Sequence, residues 1–308
     1  MTACLPPSII KRRGLHRLAG LLAGLLGCLP GQCLAQPTVP GAYCVGQSAA
    51  TVCAIVRAPA GAGASGGGFA AFYLAHHSQL QAVPYGSGGK GSQAGQTLIN
   101  LEQMDCLTFV ENLLALYLTQ HMLAEHVHHM RDAEILERYK YVLDHIRYDR
   151  GVNCRWEDRL FYFTQAMEQL RQYGLVQDVA ALNGEPYHKP ISYMSTHRAR
   201  YPGVQDWQRV VHYEQQLSVA RRFYYPHQVY ERYAELAQTG DIIAFASTQA
   251  GLDISHLGFV ERDAETGGLR LTHSSSLAGR LVVGQDLCSY LGNRTGIEGF
   301  FVYRLTYP

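Results

Sequence analysis

The sequence predicts an α+β fold, and three observations carry that prediction. Apolar residues recur at helical spacing through the first half, short β-branched and aromatic runs between Gly and polar turns fill the second, and the two patterns do not alternate. The composition supports a sizeable core: 308 residues, 47% hydrophobic and only 17% charged, without an internal repeat. Lys and Arg number 26 against 25 Asp and Glu. The first 35 residues hold Lys11, Arg12, Arg13 and Arg17 with no acid, so the remainder is net acidic. Such a chain has little use for a phosphate backbone, and nucleic acid is not an expected partner.

Lys11 to Arg17 form a charged n-region, and Leu18 to Leu29 an apolar stretch too short to span a bilayer of about 30 Å. This reads as a secretory signal over residues 1–35. Cleavage is expected before Gln36, because Cys33-Leu34-Ala35 places small residues where a signal peptidase inspects them. The rival reading takes Leu25-Leu26-Gly27-Cys28 as a lipobox, which tethers Cys28 to a membrane through lipid chains. Without that lipid no membrane contact is expected, and the location is secreted or periplasmic. Residues 36–68, rich in Pro, Gly, Ala and Ser, read as a flexible lead with one apolar patch around Val52 to Val56. The compact domain is placed at 69–308.

Within it, Leu107, Val110, Leu114 and Tyr117 mark a helix buried on most sides. Glu134 to His145 predicts a second helix. A third runs from Glu157 towards Gly174, a suitable C-terminal cap. Strands follow at Asp241 to Ala246, His256 to Glu261, Leu269 to His273 and Phe300 to Leu305. Export leaves five cysteines, Cys44, Cys53, Cys106, Cys154 and Cys288, in a compartment that permits disulfides. Cys44 with Cys53 closes the shortest loop. Cys154 and Cys288 form a second pair or stay as thiols, a choice that the spacing leaves open.

The context of Cys106 marks it as the unpaired one. Met104-Asp105-Cys106-Leu107-Thr108-Phe109-Val110-Glu111 opens the buried helix, so the cysteine falls on its first turn. Unpaired amides and the helix dipole there favour a thiolate and are expected to lower the pKa from its free value of about 8.5. Nucleophilic catalysis also needs a base. Ser255-His256-Leu257-Gly258 offers one at a strand start, and His273 one strand later is placed to orient it. The Cys106 backbone N–H is a candidate oxyanion donor, and Ser255 a substrate-side residue. No cofactor or metal is called for. His121, His126, His128 and His129 are dense, but their spacing fits no zinc motif and reads as a solvated helix end. Ser195 and His197 are read as substrate-side or structural residues, and Glu111 as a helix acid bonded to backbone or Arg. The 20 tyrosines suit saccharide and peptide ligands, although core and surface roles explain them more simply.

Taken in order, Pro84-Tyr85-Gly86-Ser87-Gly88-Gly89, Asp105-Cys106, Gly240-Asp241-Ile242-Ile243-Ala244-Phe245, His256-Leu257-Gly258 and the strand ending in His273 resemble the NlpC-type cell-wall cysteine hydrolases. The segments Asp105 to Glu111, Arg147-Tyr148, Arg159 to Phe163, Met194 to His197, Gly251 to His256 and His273-Ser274-Ser275 resemble the N-acetylmuramoyl-L-alanine amidase-like branch. The resemblance covers about Tyr85 to Arg304. It implies a trimmed papain-like domain, with the nucleophile at a helix N-terminus against an antiparallel sheet. It further implies hydrolysis of an amide in peptidoglycan or muropeptides, between muramic acid and L-alanine or within the stem peptide. Cys106 matches the nucleophile, His256 the base and His273 the orienting residue. Tyr85 and Asp105 match substrate-site positions. Asp158 and Phe161 depart from a more usual Ser and His, which leaves the substrate contacts open. The alternative is a non-catalytic wall-binding protein on the same fold, and a low-pKa, alkylatable Cys106 separates the two.

Overall fold

Local structure begins within the predicted lead. The computed structural model describes residues 43–58, 68–80 and 95–306. The signal segment, Cys28 and the loop bearing Tyr85 lie outside the described residues. β1 (Tyr43–Cys44) pairs in parallel with β2 (Leu98–Ile99), and between them come α1 (Ser48–Arg57) and α2 (Phe69–His76). The apolar patch read as part of a flexible lead is therefore a core helix. Val52, Ile55 and Val56 sit at i, i+3 and i+4, are at most 1% exposed, and join the main core. The Pro/Gly/Ala bias on both sides hides that stripe in the sequence.

The helical half follows with α3 (Cys106–Leu123), α4 (Asp132–Arg147) and α5 (Phe163–Gln172). Helix α5 starts six residues later than predicted. Residues 156–158 form a 3-10 turn instead, because the Asp158 carboxylate accepts from the N–H groups of Cys154 and Arg155 and pairs with Arg209 at 2.9 Å. Gly174, at φ +76°, follows α5 as expected of a C-terminal cap.

The remaining elements are β3 (Val176–Asp178), α6 (Ala180–Asn183), β4 (Glu185–Tyr187), α7 (Tyr193–Thr196), α8 (Trp207–Val219), β5 (Arg222–Pro226), α9 (Tyr230–Ala234), β6 (Ile242–Ser247), β7 (Ile254–Arg262), β8 (Leu269–Ser275), β9 (Arg280–Asp286), α10 (Leu287–Gly292) and β10 (Ile297–Leu305). The four predicted strands correspond to β6, β7, β8 and β10. The sheet order is β4-β5-β10-β6-β7-β8-β9, with β3 also on β10, and every pairing in it is antiparallel. This is a mixed α+β fold with helices on an open antiparallel sheet.

Period-two alternation divides the two faces. Ala244, Ala246, Leu257 and Phe259 share a core with Phe109, Leu113 and Tyr117 of α3, while Ile243, Phe245, Leu271 and Phe300 share another with Tyr233, Leu287 and Tyr290. Helix α3 is also pinned by charge. Buried Glu111 meets Arg147 Nε at 2.7 Å and Arg159 Nη2 at 2.6 Å, and Arg147 and Arg159 each donate to a backbone carbonyl. Cys44, Cys53, Cys106 and Cys288 are free thiols, so the expected Cys44–Cys53 loop is not closed and Cys288 pairs with nothing covalently. Cys53 instead points its sulfur at the Asp132 carbonyl, 3.8 Å away at the start of α4.

Candidate active site

Helix α3 begins at Cys106 because Asp105 caps it. The Asp105 Oδ1 accepts from the Thr108 N–H and hydroxyl, both at 2.7 Å, and Thr108 Oγ1 accepts from the Asp105 N–H at 2.9 Å. Beside it, the Ser274 hydroxyl donates to the Met104 carbonyl at 2.6 Å, which ties β8 to the turn that presents the cysteine. Backbone N–H groups of Cys106, Leu107 and Leu257 point at the Cys106 sulfur. Leu257 is the neighbour of His256, so the thiol lies against the β7 segment that carries the predicted base.

The sequence reading expects a lowered thiol pKa, and the structure reverses it. Burial pushes Cys106 up to about 12, the Asp105 charge adds to the rise, and the three N–H groups only oppose it. Protein crowds the sulfur although the residue as a whole is half-buried. Removing water from a thiolate costs more here than the partial charges of one helix end return.

Two strand irregularities and one glycine set the histidines. Phe245 pairs with His256 but Ala246 with Ile254, so Ser255 is the extra residue of a bulge immediately before His256. A Cβ at Gly258 would come within 2.5 Å of the Thr272 carbonyl and 2.9 Å of the His273 Cβ; the His-x-Gly sequence is what lets β8 approach. His256 Nε2 and His273 Nδ1 are then 2.6 Å apart, with the rings at 87°.

A second bulge aims the next group. Leu271 pairs with Gln285 and His273 with Val282, leaving one extra residue on β9, and Gly284 takes φ +71° there. Gln285 Oε1 thereby reaches His273 Nε2 at 3.0 Å. A carboxamide oxygen only accepts. His273 Nε2 therefore carries its proton, His273 Nδ1 accepts from His256 Nε2–H, and His256 Nδ1 is left with a lone pair. The chain of three fixes the tautomer a base requires.

Tyr290 of α10 closes the cluster. Its ring lies 4.9 Å from Phe245, 5.3 Å from His273 and 6.2 Å from His256. The Arg294 guanidinium sits over the Tyr290 ring, 4.8 Å from its centroid. Burial, then His273, then Arg294 hold His256 down at about 3; His273 is also lowered, by burial first and by Arg294, against the Gln285 bond.

The remaining predicted residues fall elsewhere. Ser255 is exposed, with its hydroxyl 3.5 Å from the Phe245 carbonyl. Ser195 and His197 lie at α7, where the Ser195 hydroxyl donates to the Ser192 carbonyl and His197 stacks on Tyr193 at 4.1 Å. The structure joins His256 to His273 and sets Cys106 against Leu257, the residue after His256, whereas Ser195 and His197 bond within and around α7. Gln285, Tyr290 and Arg294 escaped the sequence reading; the only hint was the Gly284-Gln285 step, a turn-like residue inside a polar run. Among the described residues, no three His, Cys, Asp or Glu side chains gather as a metal would need, and no helix is long and apolar enough to cross a membrane.

Comparison with known proteins agrees with this architecture. A crystal structure from Bacteroides fragilis, provisionally named a xylanase, is 29% identical with a TM-score of 0.64, over 75% of this chain and 100% of that one. An N-acetylmuramoyl-L-alanine amidase from Bacteroides uniformis is 25% identical with a TM-score of 0.61, over 76% of this chain and 98% of the other. A Legionella pneumophila protein, at 19% identity and TM-score 0.55, shares the fold over 77% of this chain and 89% of its own. No protein with a curated function matches the sequence. The pattern of the AmiA-like, N-acetylmuramoyl-L-alanine amidase-like family matches residues 78–297, more than two thirds of the sequence, and the chain belongs to that family.

Proposed function

We propose that this protein is an exported cysteine hydrolase that cuts an amide bond of peptidoglycan or muropeptides, as a muramoyl-L-alanine amidase or a stem-peptide endopeptidase. Family membership supports a hydrolytic role on peptidoglycan. The observation that carries the cysteine mechanism is the Gln285–His273–His256 chain, which leaves His256 Nδ1 as an unprotonated base beside the segment that touches Cys106.

In this reading His256 Nδ1 takes the Cys106 proton as sulfur attacks the amide carbon. The negative charge on the carbonyl oxygen is received by backbone N–H at the start of α3. The C–N bond then breaks, His256 returns the proton to the departing amine, and a thioester remains. Water, deprotonated by the same nitrogen, cleaves that thioester, releases the acid and restores the thiol. His273 keeps the ring oriented by accepting from His256 Nε2–H. Tyr85 and Asp105, with Ser255, Ser195 and His197 further out, are proposed on the substrate side.

The name of the Bacteroides fragilis relative raises glycoside hydrolysis as another chemistry. That reaction needs two carboxylates facing one bond. The acid beside Cys106 is Asp105, and its Oδ1 is engaged by Thr108. One observation favours the non-catalytic alternative, a wall-binding protein: the raised thiol. Mass spectrometry of a muramyl tetrapeptide, with and without its sugar, separates the readings. The parent protein is expected to release free peptide from the sugar or to cut within the stem, and Cys106→Ala to do neither. An unchanged substrate, or equal activity of the two proteins, rejects the cysteine mechanism.

A further inference from the structure

Arg294 is an awkward neighbour for two histidines that must work as bases. It follows α10, its backbone N–H donates to the Leu291 carbonyl at 3.2 Å, and its side chain is exposed. Its guanidinium rests on Tyr290, the ring that also borders His256 and His273. Among the described residues no carboxylate forms an ion pair with it, although most other arginines of the domain have one. Left alone, this charge opposes the imidazolium that His256 must become when the thiol proton moves. A site that carries an uncompensated cation beside its base works against itself unless something anionic arrives with the substrate.

We propose that Arg294, braced on Tyr290, is the seat for a carboxylate of the substrate peptide next to the scissile amide, and that filling it eases proton transfer to His256. The proposal rests on the cysteine-hydrolase reading and adds the charge class of the substrate. A ring beneath one face of the guanidinium leaves its N–H edge for a carboxylate, which it can meet with two parallel hydrogen bonds. A hydroxyl-rich neutral sugar offers no such partner and no charge to cancel. The carboxylate therefore belongs to the peptide side. Occupation acts twice: it holds the substrate, and it cancels the Arg294 share of what opposes a charged His256, leaving burial and His273 in place. Selectivity for an acidic peptide is then expected in kcat as well as in KM.

The test uses two ligands, N-acetylmuramoyl-L-alanyl-D-glutamate and its α-carboxamide, and the Cys106→Ala protein, which holds substrate without cutting it. Calorimetry is expected to show the acid bound about tenfold more tightly than the amide at low salt, the worth of one charge-assisted pair partly open to water. Adding Arg294→Gln is expected to erase the difference, and Arg294→Lys to restore part of it. With active protein, the acid is expected to turn over faster than the amide, and Arg294→Gln to raise kcat for the amide while lowering kcat/KM for the acid. Equal affinity of the two ligands, no binding of either, or a preference that survives Arg294→Gln overturns the carboxylate seat. Failure of the active protein to cut either ligand or the muramyl tetrapeptide rejects the hydrolase reading instead, and the binding comparison still decides the seat.

Discussion

With Cys106 pushed up to about 12 and His256 held down at about 3, both groups rest neutral over the ordinary pH range. A base whose pKa is depressed keeps its lone pair far into acid, so kcat/KM is expected to stay level between about pH 5 and 9 and to fall only at the acid end. A narrow bell centred near pH 6.5 contradicts this. The same neutrality makes iodoacetamide slow with Cys106 at neutral pH and faster as alkali ionises the thiol. Gln285 gives a sharper test. Gln285→Leu removes the acceptor that fixes both tautomers and is expected to cost about tenfold in kcat, whereas Gln285→Glu, still an acceptor, retains kcat and moves the acid limb upward. Steady-state kinetics and nitrogen NMR of the two rings report both effects. The candidates Cys106, His256 and His273 could be named from the sequence because local motifs mark them. Gln285, Tyr290 and Arg294 were not, since each matters only through where a bulge or a short helix delivers it.

The elements that build the site are held by small devices. Gly284 has open space around a built Cβ, with Arg270 Cδ 3.8 Å away, so its constraint is the left-handed backbone and not a clash. Gly284→Ala is expected to cost about 1 kcal/mol of stability in denaturant unfolding, and to lower kcat as Gln285 loses its aim. An unchanged kcat separates Gln285 from the relay. The pattern of the sequence failed at this level where devices outweigh composition. Helix α1 hides a stripe of three apolar residues in a Gly- and Pro-rich stretch, and β9 is broken by its own bulge glycine. Strands β6 and β10 were legible because their apolar runs are nearly continuous and buried on both faces, and β7 and β8 because shorter β-branched, aromatic or alternating runs are set between Gly and polar turns.

Across the whole molecule, the fold packs α3, which opens at Cys106, against the sheet and ties it to α4 with a buried charge cluster. Glu111 is 1% exposed and shared by Arg147 and Arg159, so Glu111→Ala strands two guanidinium groups away from water. A loss of about 3–5 kcal/mol is expected, read from the denaturant midpoint. A change under 1 kcal/mol makes the cluster dispensable. The buried histidines add a pH dependence of known sign. Their folded pKa values lie below the unfolded one, so the stability they permit is present above about pH 6.5 and declines as pH falls towards the folded values. The class of fold was legible from the split between helical and strand halves, while the charge cluster that locks α3 to α4 appeared in the sequence only as an acid and two arginines far apart. The most direct measurement of the central claim is rapid-quench intact-mass analysis of the protein mixed with a muropeptide substrate. The account predicts a transient acyl adduct that maps to Cys106 and disappears as product accumulates. Product formation that persists in Cys106→Ala, or is abolished by a chelator with no adduct on the parent protein, contradicts it.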